Sequence, residues 1–505
     1  MIAVHGATYV ARYFKVILIA FFFGTGVEIE SYKAALNLPL VISGVVQGAL
    51  LAAVVPILIA LRASHGEQAA ARLGTRFGLW TLAAVVALCL GLGFGSGSVA
   101  RWVTDPARHD DVRTAHLLRL LLGYIVVYIL VQYATMLCHS HRWFIFPLLT
   151  ALPNLAVNIV VIVLWFWLIR VEVEGLVWGL YAGALVQLAI MVARGWKPGI
   201  LRPAAGAAPA EAMWRATRNT AVLLLSGLLS PATLITVDII MAAPVERGIA
   251  TVDYAYAIFM IPVTVGVMNI GHVLLPHLSG QVAGGDWRAL GGTVSLTARL
   301  MLFTCLPAAV GLWLVSEDLI GVLLERGQFR PEDTTLVAAT LRAYSWGLVF
   351  AALVTVVTKI FNAMQRVRAI FVVSAIAFAV KIGANALLRG PMGAPGIALA
   401  TSIFYALSFV LLAIWLRSTV PVPLDRQVLR SLALTLLGGV AMAIAVLGVR
   451  ATLLGFGAPG VATLLAEVAV GAGVWIAWSA AVRLEELGMI WRLLRRRRAV
   501  VSSAV

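Results

Sequence analysis

The stretch Phe144-Ile-Phe-Pro-Leu-Leu-Thr-Ala-Leu-Pro-Asn-Leu-Ala-Val-Asn-Ile-Val-Val-Ile-Val-Leu-Trp-Phe-Trp-Leu168 contains no ionisable side chain. At 1.5 Å per residue, a helix of that length crosses the roughly 30 Å hydrocarbon core of a bilayer. Its polar residues Asn154 and Asn158 lie four apart and so share a face, where hydrogen bonding to a neighbouring helix is the default role. Outward from this run the pattern recurs. Comparable stretches lie near 4–23, 38–61, 77–96, 115–138, 173–193, 219–243, 250–275, 297–323, 337–361, 367–388, 393–416, 430–449 and 460–482, predicting about 14 transmembrane helices. A membrane barrel would instead need short alternating segments.

The composition agrees. Of 505 residues, 62% are hydrophobic and 12% charged, against roughly 45–50% apolar and about 25% charged in soluble chains. Cys89, Cys138 and Cys305 each fall in or beside an apolar stretch without metal-type spacing, implying neither a disulfide framework nor a metal site. Met1 to Phe23 lacks a basic start and a small-residue cleavage pattern, so it reads as the first span. The net charge of +16 would suggest nucleic acid in a soluble protein, but its placement argues otherwise. With an even number of spans both termini share one side. That side collects Arg62, Arg72, Arg76, Arg194, Lys197, Arg202, Arg215, Arg218 and the tail arginines Arg492 and Arg495 to Arg498, whereas the opposite loops carry acids as freely as bases. The positive-inside rule then predicts both termini to be cytoplasmic, with the tail anchored at anionic headgroups.

A weak repeat organises the chain. Ser31-Tyr-Lys-Ala-Ala-Leu-Asn-Leu-Pro39, followed by Gly44-Val-Val-Gln-Gly48 and Val55-Pro56, is echoed by Asp253-Tyr-Ala-Tyr-Ala-Ile-Phe-Met-Ile-Pro262, Gly266-Val-Met-Asn-Ile-Gly271 and Leu275-Pro276, about 222 residues on. A parallel repeat predicts two similar six-helix lobes with the substrate site between them near the midplane. The expected division is an N-lobe at 1–193, a cytoplasmic linker with an amphipathic helix at 194–218, a C-lobe at 219–417, two further helices at 418–482 and a basic cytoplasmic tail at 483–505.

No Walker A loop, His-Glu-x-x-His or Gly-x-Ser-x-Gly motif occurs, so the reading is a transporter without catalytic residues, metal or cofactor. Work would come from an ion gradient, the membrane potential or the substrate's own gradient. The informative residues are then ionisable groups at membrane depth, each costing roughly 2.5–3.5 kcal/mol on insertion scales. Arg12 and Lys15 share a face of the first span and read as cavity cations; the alternative is that both snorkel to a nearby interface. Glu30 and Lys33 follow, as a mutual pair or as cavity groups. Asp238 lies deep in span 7, Lys381 deep in span 11 and Lys359 near the end of span 10, as transport groups or a structural ion pair. Arg119 and Arg342 read as snorkelling, and the role of Glu467 stays open. Gly24, Gly26, Pro39 and Pro262 are hinge candidates, since proline removes a helix hydrogen bond.

Several of these residues resemble a known family. Phe23-Gly24-Thr25-Gly26 with Glu30, Asn37-Leu38-Pro39, Gln47-Gly48-Ala49 leading to Val55-Pro56, Leu274-Leu275-Pro276-His277-Leu278-Ser279, Glu325-Arg-Gly-Gln-Phe-Arg-Pro-Glu-Asp-Thr334, and Ala343-Tyr344 with Gly347-Leu348 resemble the MurJ/MviN lipid II flippases of the multidrug/oligosaccharidyl-lipid/polysaccharide exporter superfamily. The resemblance implies 14 spans, two lobes around a cationic cavity and a lipid-tail groove formed by the last two helices. It implies translocation of an undecaprenyl-pyrophosphate-linked glycan from the cytoplasmic to the periplasmic leaflet of the bacterial inner membrane by alternating access. Membrane lipids and cell-envelope synthesis proteins are the other partners it implies. Pyrophosphate calls for cations in a low-dielectric cavity, which makes Arg12, Lys15 and Lys381 the expected substrate-binding residues; Lys15 falls where the family carries an arginine. Asp238 matches a position where the family carries an acidic or amide residue, and Glu30 matches its acidic residue after the Gly-x-Gly.

The chain also departs from that pattern. Ile42 and Ser43 stand where the family has span-2 arginines, Gln47 stands for an acid, and Tyr254-Ala-Tyr-Ala257-Ile-Phe-Met260-Ile-Pro262 lacks the span-8 arginine and acid. A flippase for an exopolysaccharide or capsule lipid-linked oligosaccharide is therefore one alternative. A cation-coupled drug exporter is another, and would want more acidic coupling residues. A membrane scaffold without transport is the third.

Overall fold

A computed structural model of the chain describes residues 2–105, 108–169, 171–196, 199–201, 203–227, 231–264, 278, 280–282, 284–419, 426–455 and 460–489. Among these residues the regular structure is helical, and it follows the apolar runs of the sequence in order. The chain clusters into two compact units, Met1–Ala250 with Arg326–Phe329, and Thr251–Glu325 with Arg330–Val505. The helix bearing Asp238 thus falls in the first unit. The tail arginines Arg492 and Arg495 to Arg498, and the repeat residues Gly266, Gly271 and Pro276, lie outside the described residues.

In the first unit α1 is Ile2–Phe23 and α2 is Val27–Ala49. A π-helical stretch, Leu50–Val54, joins α2 to α3, Val55–Phe94. Proline explains the π turn: Pro56 has no N–H to offer the carbonyl of Ala52, and its ring crowds that carbonyl, so the ladder widens by one residue. α3 breaks at Gly66, whose φ of 82° and ψ of 176° are non-helical, so Val27–Phe94 makes two crossings with a turn at Gly66. After the short α4, Ser96–Val103, come α5, Asp111–Ser140, α6, Ile145–Leu168, and α7, Glu174–Trp196. Asp110 caps α5 by accepting from the Arg113 N–H at 3.0 Å, satisfying one of the orphan donors of the first turn.

Over the predicted linker and span 7 lie α8, Ala210–Gly227, and α9, Pro231–Ala242. The helix expected in the linker therefore runs on toward the span. Of the two asparagines, Asn154 makes the expected interhelical bond: it donates to Gln187 of α7 at 2.6 Å, and Gln187 donates back to Thr150 of α6 at 3.3 Å.

α10, Gly248–Pro262, begins at the close of the first unit and continues into the second. The second unit goes on with α11, Trp287–Leu324, α12, Pro331–Ser345, α13, Leu348–Ala363, α14, Val367–Met392, and α15, Ala394–Thr419. α12 and α13 form one apolar span bent by 41°. α16, Arg426–Gly455, and α17, Gly460–Ala481, close the fold. Gly438 lets α16 approach α17 closely, because a Cβ there would stand 2.5 Å from the Trp478 ring. Large apolar side chains such as Phe94, Trp102, Trp167 and Leu387 are exposed, as expected where the surrounding medium is hydrocarbon.

Candidate functional site

In the first unit, Arg12 and Lys15 share a face of α1, Arg12 exposed and Lys15 half-buried. The Arg12 guanidinium carbon is 6.0 Å from the centre of the Tyr9 ring, within range of a cation–π attraction that orients the charge. Glu30, at the start of α2, is buried. One of its carboxylate oxygens lies 3.3 Å from His109 Nε2, and the other accepts from the Ala250 N–H at 3.2 Å. Burial works against a charge on His109, yet the hydrogen bond and charge of Glu30, together with the backbone hydrogen bond and charge of Asp105, outweigh it and raise the imidazole above its usual range. Beside this pair Arg113 reaches Glu28 at 2.7 Å and Glu174 at 3.7 Å, tying α5 to α2 and α7. Arg119, expected to snorkel, instead donates to Ser96 at 2.7 Å.

Lys33 and Asp238 are both buried in this unit, and Asn37 of α2 donates to the Thr236 carbonyl of α9 at 3.2 Å. Gly24 takes φ 53°, and a Cβ on it would stand 2.5 Å from the Gln328 carbonyl oxygen; Gln328 N–H in turn donates to Phe21 O at 2.9 Å. The residue needed there is glycine, both for its backbone and for its neighbour. Gly26 caps α2 in an extended conformation, and Pro39 is buried inside α2. Pro262, its counterpart in the repeat, ends α10.

In the second unit Lys381 and Asn385, four apart on α14, are fully buried, and Lys359 of α13 is half-buried. Tyr344 is also fully buried. Its ring stacks on Phe259 at 5.4 Å and meets Tyr256 edge-on at 5.7 Å. Tyr256 and Phe259 flank in sequence Ala257, the position where the resembled motif carries arginine. The Glu325–Thr334 motif also gains a structural account. Arg330 N–H donates to Asp333 at 2.9 Å and Thr334 donates to Glu325 at 2.6 Å, fixing the start of α12 behind Pro331.

The second unit holds an apolar groove of about 960 Å³, lined by α11, α13, α15, α16 and the end of α12. Leu302, Leu306, Phe350, Phe409, Leu436 and Leu447 are typical of its walls, and Arg417 stands at one end. α16 lines it, whereas α17 contributes no lining residue and packs behind α16. Ions fasten this helix pair to α11 at both ends. Toward one end buried Arg299 of α11 meets Glu485 at 2.9 Å, Glu486 at 3.1 Å and Gln427 at 2.8 Å. Toward the other, Arg450 of α16 reaches Asp318 of α11 at 3.1 Å and Glu467 of α17 at 3.9 Å. Neither Arg299 nor Arg450 stood out in the sequence, because their partners are far along the chain and an arginine at a span end reads first as a snorkelling group. Among the described residues no group of His, Cys, Asp and Glu is disposed to hold a metal ion.

The family model for the lipid II flippase MurJ matches residues 19–466. A probable lipid II flippase MurJ from Rhizobium tropici is 28% identical over 99% of this chain and 97% of its own length. A lipid II flippase MurJ from Burkholderia cenocepacia is 23% identical over 79% of each chain. Among solved structures, a lipid II flippase MurJ in an inward closed conformation aligns with a TM-score of 0.80 at 17% identity, covering 95% of this chain and 99% of that one. An inward-facing multidrug-resistance transporter of the MATE family gives 0.69 at 13% identity, covering 81% and 94%. At these identities the structures speak to the fold, and the family follows from the sequence match over most of the chain: this multi-pass membrane protein belongs to the lipid II flippase MurJ family.

Proposed function

We propose that this chain translocates lipid II, an undecaprenyl-pyrophosphate-linked glycan, from the cytoplasmic to the outer leaflet of a bacterial inner membrane by alternating access, with both termini cytoplasmic. The observation that carries this beyond family membership is the groove of the second unit. Its walls are apolar along several helices, which suits a long polyprenyl chain. Arg12 and Lys15 are assigned to the pyrophosphate, with Lys381 as a third cation, because a doubly charged anion in a low-dielectric cavity needs charge-assisted donors. Glu30, Lys33, Asp238 and Lys359 are assigned to the cavity or to coupling with the membrane potential or an ion gradient. Bending at Gly24, Gly26, Pro39 and Pro262 would expose the site to alternate sides, with cell-envelope synthesis proteins as partners at the membrane.

One observation favours a second reading, a flippase for another polyprenyl-linked glycan: Ala257 stands where the resembled motif carries arginine, and its neighbours Tyr256 and Phe259 pack on Tyr344 instead. Complementation of a bacterium depleted of its own lipid II flippase separates the two. Growth on expression of this chain is the result expected for lipid II; lysis despite verified membrane insertion would contradict it and favour the second reading.

A further inference from the structure

Arg450 sits between rivals. Its guanidinium is 3.1 Å from Asp318 and 3.9 Å from Glu317 on α11, and 3.9 Å from Glu467 on α17; it also donates to the Leu314 carbonyl at 3.4 Å. The other cation, Arg342 of α12, is taken by Glu317 at 3.0 Å. Three carboxylates therefore face two guanidiniums, and the carboxylate with the weakest claim is also the most enclosed. The Glu467 side chain is fully buried, and neither of its oxygens has a hydrogen-bond donor. An ionised carboxylate in that state bears a large desolvation cost, whereas a protonated one balances the cluster.

We propose that Glu467 is a proton-binding site whose occupancy sets the closure of one end of the groove. The proton comes from solvent and adds to a Glu467 oxygen. Arg450 and Asp318 lie one turn beyond the lining residues Leu447 and Leu314, so their ion pair draws α16 against α11 and shuts the groove there. With Glu467 protonated, Arg450 belongs to α11, the arrangement seen in this structure. With Glu467 ionised, α17 competes for the same guanidinium and the clamp between α16 and α11 loosens. The groups that set this balance are Glu317 and Asp318 from α11, Arg450 from α16 and, through Glu317, Arg342 from α12.

The inference rests on reading the groove as an alkyl-chain site, and the test separates the two. The full chain in lipid nanodiscs would be photocrosslinked to a diazirine-bearing polyprenyl phosphate. Crosslinks on the peptides holding Leu314 and Leu447 would then be followed from about pH 5 to about pH 9, with a rise of about fivefold expected in the native chain. Glu467→Gln, a neutral mimic of the protonated state, holds them low at every pH. Asp318→Asn, which removes the nearest carboxylate that holds Arg450 to α11, raises them already at the acidic end. Groove crosslinks with a flat profile in the native chain, or an unchanged slope in Glu467→Gln or Asp318→Asn, would overturn the proton site while leaving the alkyl-chain reading intact. No groove crosslinks at any pH would overturn that reading, and the proton site with it.

Discussion

Gly24 shows how far a single residue is determined by its surroundings. Its positive φ disfavours any side chain, and the Gln328 carbonyl occupies the place of a Cβ. Gly24→Ala is expected to destabilise the first unit by about 1–3 kcal/mol, read as a lower unfolding temperature of the detergent-solubilised protein; an unchanged melt would contradict the close contact. The sequence marks Gly24 by its place after the first apolar run, but the obstacle comes from residue 328, which no local pattern announces. The same holds for the charges. Arg12, Lys15, Asp238 and Lys381 were legible because each interrupts an apolar run, where a charge is costly. His109, Arg299 and Arg450 were not, because they lie in loops or near span ends, where charges are ordinary, and acquire meaning only from partners on other helices.

At the scale of elements, the ion pairs decide which helices move together. The Glu30–His109 pair joins the start of α2, the loop before α5 and the start of α10. Because the folded His109 binds its proton more tightly than a free imidazole, the stabilisation is full below about 6.5. It is lost as pH rises through the raised folded value. Hydrogen-exchange protection at Ala250 and along residues 27–30 should therefore fall on raising the pH, and Glu30→Gln should flatten that dependence; a flat native profile would contradict the pair. Arg299 offers a second test. Its removal leaves Glu486 buried without its cation, a loss expected to cost about 3–5 kcal/mol. Arg299→Ala should loosen α16 and α17, seen as protease access to residues 426–455 in an otherwise folded protein. Resistance equal to that of the native chain would contradict the clamp.

At the scale of the molecule, the helical architecture was legible because membrane helices must satisfy every backbone group internally, so each apolar run of sufficient length commits to one element. What the runs could not convey was where they break. Span 10 bends by 41°, since hydropathy measures the run and not its axis. Family membership and the groove together make translocation of lipid II the central claim. Its most direct test is a flipping assay in sealed proteoliposomes containing fluorescent lipid II, with a membrane potential imposed and the dye on the opposite leaflet quenched. The purified native chain should speed the exchange of lipid II between leaflets by at least about tenfold over protein-free vesicles, and Arg12→Ala with Lys15→Ala should abolish that gain while reconstituting equally well. Exchange at the protein-free rate with the native chain would contradict the account.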